Sequence, residues 1–191
     1  MSNSVDVAAR AGDLADPACG ALPAQLVVAL AGAYRAAGLA CSATPAREAE
    51  SAEYGACRLD LAGLSLAFRV AKTTPTKIGQ FVTIWKRPTP HADIAPLDGA
   101  DGVDVVVVSV AEAGHGGQHG QFVFDRAVLL AKGVMSQDGV GGKRAMRVYP
   151  PWTSPVAKDA IRTQQWQLRH FLPLQTDGGA DPARLRALLN L

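Results

Sequence analysis

Cysteine is scarce in this chain. Cys19, Cys41 and Cys57 are too few for a disulfide framework and too scattered for a zinc site. No apolar run approaches the roughly 20 residues that a membrane-spanning helix needs. The first residues carry Asp6, Asp13 and Asp16 and lack a basic start followed by an apolar stretch, so no secretory signal is expected. Walker loops, dinucleotide fingerprints and nucleophile elbows do not occur. These absences exclude membrane and disulfide-rich classes, and they point to the cytoplasm, with no cofactor and no metal centre expected. What is present is a globular composition of 191 residues, 48% hydrophobic and 19% charged, enough for one domain with its own core.

The net charge of +2 hides a segregation. Residues 54–91 hold Arg58, Arg69, Lys72, Lys77, Lys86 and Arg87 against Asp60 alone, and residues 132–171 hold seven cations against Asp138 and Asp159. Each block is thus +5, and the stretch between them, residues 92–131, is −5. Two basic blocks that fold onto one face would attract a polyanion, whereas cations dispersed for solvation would not.

Residues 1–20 read as a flexible leader and residues 21–191 as a single domain. Leu26, Leu30, Ala33, Tyr34 and Ala37 recur at helical spacing, with Pro23 in the first turn and Gly38 as the stop. A second short helix is expected over Arg47–Glu53. The period then switches to two. With a turn at Ala62-Gly63, Cys57, Leu59 and Leu61 face Phe68, Leu66 and Leu64 on a buried side, and Arg58, Asp60 and Arg69 share the other. Gln80–Arg87 reads as a third strand. Val103–Val110 reads as a strand buried on both faces, and Gln121–Phe124 as a short strand followed by a turn of helix that Asp125 caps. Arg144–Tyr149 reads as the last strand, and Val156–Phe171 as a helix capped by Ser154 with Pro155 at its first position. Asp181–Leu189 is a terminal helix. Together these predict an α/β (α+β) domain with helices on both faces of a sheet.

Metal-dependent phosphodiester cleavage needs carboxylates for Mg²⁺ and a cation near the attacked phosphate. Asp60 before the turn and Lys72 after the second strand are candidates, with Glu48, Glu50 or Glu53 as a further acid. The position two residues before Lys72, where a second acid would complete the arrangement, holds Val70. Asp60 can equally pair with Arg58 or Arg69 across the strands. His115 and His119 in a glycine loop read as solvated, Cys57 as a buried apolar residue, and Gly139, Gly141 and Gly142 before Lys143-Arg144 as a weak phosphate-loop pattern. Polyanion binding has broader support. Lys72-Thr73-Thr74-Pro75-Thr76-Lys77 combines cations, hydroxyls and turn amides, the donors that phosphates accept from. Trp85-Lys86-Arg87 and Arg147-Val148-Tyr149-Pro150-Pro151-Trp152 interleave aromatics with cations, which suits base stacking beside phosphate contact.

From Glu53 to Phe171 the chain resembles the MepB family, small bacterial proteins named for an operon shared with a multidrug efflux pump. The resemblance rests on Tyr54-Gly55-Ala56-Cys57-Arg58-Leu59, on Phe68 through Thr83, on Trp85-Lys86-Arg87 and on Gln121-Phe122-Val123-Phe124. Lys143 through Trp152 and Gln164-Gln165-Trp166-Gln167 complete it. It implies a restriction-endonuclease-like fold, a central mixed sheet flanked by helices. It also implies a site in which Asp60 matches the first acid and Lys72 the lysine, while Val70 departs from the second acid.

The expectation is therefore a nucleic-acid-binding protein on a degenerate nuclease-like fold, without catalysis. Arg69, Lys72, Thr74, Thr76, Lys77, Lys86, Arg87, Lys143, Arg144 and Arg147 would face phosphates, and Tyr149, Trp152 and Trp166 would face bases. The alternatives are a divergent Mg²⁺-dependent nuclease using Asp60, Lys72 and a helix glutamate, and a binder of a small molecule or nucleotide.

Overall fold

In a computed structural model, which describes residues 20–89, 91–114 and 116–191, alternation of apolar residues builds the centre of the molecule. Strands β2 (Cys57–Leu61) and β3 (Leu64–Val70) form the hairpin with the expected register, Cys57 opposite Phe68, Leu59 opposite Leu66 and Leu61 opposite Leu64. Ala62 and Gly63 both take positive φ, +50° and +83°, the tight two-residue turn that matches strand twist. Strand β8 (Val105–Ala111) lies parallel to β3 and antiparallel to β9 (His119–Asp125), and Val105 through Val110 are all buried. With β1 (Ala46–Arg47) at one edge and β11 (Phe171–Leu174) at the other, the six-stranded mixed sheet runs β1-β2-β3-β8-β9-β11.

Each face of this sheet has its own core. On the first, Leu59, Leu66, Phe68, Val105, Val107 and Val123 pack under helices α1 (Ala24–Ala29) and α4 (Pro182–Leu188). Helix α1 continues as a π-turn over Leu30–Tyr34 before Gly38 stops it at positive φ. On the second face, Ala67, Val106, Val108, Phe122 and Phe124 meet Val82, Met146 and Val148, which belong to a separate three-stranded sheet. That sheet is β10-β5-β4, with β4 (Lys72–Thr74), β5 (Lys77–Thr83) and β10 (Ala145–Val148). Helices α2 (Arg126–Ala131) and α3 (Lys158–Gln167) complete this layer. A short two-stranded ribbon pairs β6 (Trp85–Lys86) with β7 (Ala95–Pro96).

The structure corrects several boundaries. Residues 47–53 are not a helix. Pairing of Ala46 and Arg47 with β2 continues through a bond from the Glu48 amide to Ala56, and Ser51 at φ +60° leads into a 3₁₀ turn over Ala52–Tyr54. The third strand begins at Lys77 and ends at Thr83, and Trp85–Lys86 pair elsewhere. Helix α3 starts at Lys158 after Ala157, so Ser154 and Pro155 precede it without capping. It stops at Gln167, and a 3₁₀ turn over Leu168–His170 leads into β11, a strand the sequence reading missed. Asp125 and Asp181 do cap their helices, accepting from the amides of Val128 and Ala183. Pro23 is the N-cap of α1 and not part of its first turn. Among the described residues no helix is long and apolar enough to cross a membrane. The leader lies, but for Gly20, outside the described residues, as do Cys19 and His115.

Candidate nucleic-acid interface

The outward face of the small sheet is where the two basic blocks meet. Lys72 sits opposite Phe81, and Phe81 opposite Arg147, so cation, ring and cation form one row across three strands. The Arg147 guanidinium lies 5.8 Å from the Phe81 ring centre, and the Lys72 ammonium 4.6 Å from that of Tyr54. Tyr54 and Phe81 meet edge to face at 6.1 Å. Arg147 also donates to the carbonyls of Lys77 (3.4 Å) and Gly79 (3.2 Å) and to the Thr74 hydroxyl (2.8 Å). It therefore fastens the β4–β5 turn, whose Thr76 and Lys77 stand exposed. Gly79, at φ +81°, closes this corner, because a Cβ there would come within 2.7 Å of the Tyr149 ring.

A groove of about 360 Å³ continues from Arg147 along the edge of β10 to helix α3. Lys132, Lys143 and Arg147 supply its positive charge, Tyr149 and Trp166 its rings, and Asp159 its one carboxylate. Lys132 is 5.8 Å from the Trp166 ring centre. One wall is held by Gln167, fully buried, whose side-chain amide donates to the Arg147 carbonyl and accepts from the Tyr149 N–H, both at 2.9 Å. That side chain satisfies β10 as a neighbouring strand would, and closes an edge that otherwise invites pairing. Gln164 does the same for the carbonyls of Pro150 and Thr153. The Gln164–Gln167 motif is thus a clamp on the 147–153 segment.

The aromatics are less free than the sequence suggests. Trp166 packs on Phe124 at 5.3 Å, and Trp152 on Phe171 at 5.9 Å, so both also serve the second core. Arg69 is corrected outright. It is 1% exposed, with Glu48 at 2.6 Å, and cannot reach a ligand on the surface. Arg144 and Lys143 are exposed beside β10. Lys132 and Phe81 join the surface although neither stood out as a candidate; Phe81 lay within a quoted motif, and Lys132 carries no motif at all.

Lys86 and Arg87 turn away to a second cleft, of about 660 Å³, shared with Arg58, Asp60 and Ser65. Its cations are matched by acids: Lys86 by Asp101, Arg87 by Glu50 (2.9 Å) and Arg58 by Glu48 (2.7 Å). Glu48, not Asp60, is therefore the partner of both hairpin arginines. Asp60 pairs in register with Ser65, five residues before β3 ends at Val70, roughly 16 Å along the strand. Asp60 and Lys72 thus stand toward opposite ends of the hairpin and do not form an acid–lysine site. Among the described residues no group of three or more His, Cys, Asp or Glu could hold a metal ion.

The glycine-rich connection before Lys143 cradles an anion of the protein's own. The Asp98 carboxylate accepts from the Ser136 hydroxyl at 2.6 Å and from the amides of Gly139 and Ala100 at 3.0 Å. Those bonds, the Ser136 hydroxyl foremost, hold its pKa at about 2, below the ordinary carboxylate value near 4. The stability this gives is present above about pH 4 and is lost as pH falls toward 2. The difference in unfolding free energy between wild type and Asp98→Asn is therefore expected to shrink across that window in acid titrations followed by circular dichroism. A difference that stays constant from pH 5 to pH 2 would show that the carboxylate charge contributes nothing.

A family model described as MepB-like matches residues 48–173. The crystal structure of MepB is similar, with 32% sequence identity and a TM-score of 0.62, covering 68% of this chain and 84% of that one. No curated protein matches the chain. The matched stretch contains β2 through α3, and with them both the small sheet and the groove.

Proposed function

From the premise that this chain belongs to the MepB-like family, we propose that it binds nucleic acid along the outward face of the small sheet and the groove beside β10, and does not cleave it. The observation that carries this reading is the row Lys72–Phe81–Arg147, which joins one basic block to the other and opens onto Lys132, Lys143 and Tyr149. Phosphate oxygens would accept from Lys72, Lys77, Lys143 and Arg144, with Thr76 beside them, while Tyr149 offers a ring to a base. Arg147 and Thr74 act from behind, since their mutual bond at 2.8 Å sets where the lysines stand. Lys86 and Arg87 leave the contact set, because Asp101 and Glu50 already neutralise them. Cleavage is disfavoured on this geometry, as Lys72 stands toward the other end of the hairpin from Asp60, and the acids that share the Asp60 cleft, Glu48 and Asp101, already pair with Arg58, Arg69 and Lys86.

Salt dependence tests the reading. Each phosphate contact contributes about 0.9 to the slope of log affinity against log salt on duplex DNA and about 0.7 on a single strand. Replacing Lys72 and Lys77 with Ala, or Lys143 and Arg144, should lower the slope by about two on duplex and slightly less on a single strand. The Lys86→Ala/Arg87→Ala pair should leave it unchanged. Wild-type protein that binds neither DNA nor RNA at low salt would defeat the proposal, and a slope that falls only in the Lys86/Arg87 pair would move the surface to the other cleft. A free nucleotide that binds with a slope near one, in the absence of polymer binding, would favour the nucleotide-binding alternative.

A further inference from the structure

We propose that the outward face of the small sheet is a stacking platform for two successive unpaired bases, so that it selects a single strand over a duplex. This rests on the reading that the chain binds nucleic acid, and it names the form that is bound. The rings are Phe81 and Tyr149, both half-buried. Phe81 sits opposite Arg147 in the register, and Tyr149 follows two residues after Arg147, one row further along the edge of the sheet. Pro150 keeps Tyr149 extended, so the alternation of β10 carries through to it and both rows face the same side. The Tyr149 ring rests against Gly79, where a Cβ would come within 2.7 Å of it, so the missing side chain is what makes room for the ring. Tyr54 supports Phe81 edge to face at 6.1 Å.

The spacing of the two rows is what selects the strand. Positions two residues apart along a β-strand are separated by about 6.6–6.8 Å. Nucleotides in a stacked duplex strand follow one another every ~3.4 Å, so rings in adjacent rows meet consecutive bases only where a strand is drawn out to twice that rise. A duplex also hides the faces of its bases in the stack and offers a protein their edges, whereas a ring on a sheet needs a face. The cations follow the same track. Lys72 stands beside Phe81, Lys143 and Arg144 lie at the start of β10, and Lys77 lies at the turn beyond its end. Among the described residues none of these four is paired with a carboxylate, whereas Lys86 and Arg87 are. From Arg144 to Tyr149 the chain covers about 17 Å, the length of roughly three drawn-out nucleotides. The far corner of the face is closed, because the Thr83 hydroxyl donates to that of Ser51 at 2.9 Å, so the track runs along β10.

The test measures the full chain by fluorescence anisotropy at one low salt concentration against a single-stranded oligonucleotide, its duplex, and an abasic strand of the same length, each made in DNA and in RNA. Phosphates alone would favour the duplex, whose charge density is higher, so a preference for the single strand reports its bases. The single strand is expected to bind about tenfold tighter than the duplex, and to lose about fivefold or more when its bases are removed. Phe81→Leu and Tyr149→Leu should each weaken the base-bearing strand about fivefold and leave the abasic strand unchanged. The abasic comparison is made on the wild type, so it decides the matter even where a variant fails to fold. A duplex bound as tightly as the single strand, or equal affinity for base-bearing and abasic strands, overturns the platform and leaves nucleic-acid binding standing. Wild-type protein that binds none of the probes defeats both.

Discussion

Phe68→Ala is expected to lower the unfolding free energy by about 3–5 kcal/mol, the range for deleting a buried ring from a core that cannot fully collapse. Phe68 is fully buried on the first face of the large sheet, paired with Cys57 and packed with Leu59, Leu66 and Val107. Its strand lies between β2 and β8, so the backbone on both sides resists closing over the void. Against a total stability of roughly 5–15 kcal/mol, this is a large share. Guanidinium or urea unfolding checks it through a lowered midpoint at unchanged slope. Ile78→Ala is the control, since Ile78 is 47% exposed and its truncation should fall within about 0.5 kcal/mol of wild type. A cost for Phe68→Ala near that of Ile78→Ala would contradict the packing described for this face.

Glu48→Gln should be comparably damaging, at about 3–5 kcal/mol, for an electrostatic reason. Arg69 is enclosed, and burial pulls its pKa down while the neighbouring Glu48 carboxylate pulls it back. The guanidinium cannot shed its proton in a protein, so removing the carboxylate at 2.6 Å leaves a buried, uncompensated charge. Arg58, partly exposed at 2.7 Å from the same carboxylate, can turn to solvent and loses little. In the double variant Glu48→Gln/Arg69→Met most of the loss should return, since an apolar side chain tolerates the site that a lone cation does not. Denaturant unfolding of the four proteins forms a double-mutant cycle, and the coupling energy between Glu48 and Arg69 is the quantity to compare. A single-variant cost of at most 1 kcal/mol, typical of an exposed pair, would mean that water reaches Arg69.

The hairpin was legible residue by residue because its alternation and its turn demand the same register. Val103–Val110 announced a strand buried on both faces, and Asp125 and Asp181 announced two helix starts. Residues 47–53 misled because Arg, Glu and Ala favour a helix locally, whereas pairing with β2, which no local rule contains, decided the conformation. Strand β11 was hidden by a proline and by the apolar spacing of the helix before it. Proline suits that position because β11 is an edge strand. The separation of β4, β5 and β10 into a second sheet depends on contacts between residues more than sixty apart, such as Arg147 with Phe81. Lys72, Lys77, Lys143 and Arg147 could be named from sequence, but that Arg147 ties down the turn carrying Lys77 could not. Arg69 failed for a related reason: alternation put it on the polar side of the hairpin, and Glu48 and the segment around it cover that side.

Because β8 sends Val105 and Val107 into one core and Val106, Val108 and Val110 into the other, the two cores share a single wall. Lifting α1 and α4 away would leave the β8–β9 hydrogen bonds held from the far side, and lifting the small sheet would leave them held by the helices. Neither excursion frees the strand. The amides of Val106 to Val110 therefore have no partial route to deuterium, and their protection should equal the free energy of unfolding the whole molecule. The exposed turn at Thr76 and Lys77 has no such double cover and is held by Arg147 from one side, so the proposed ligand would meet a part of the protein that can open while β8 stays closed.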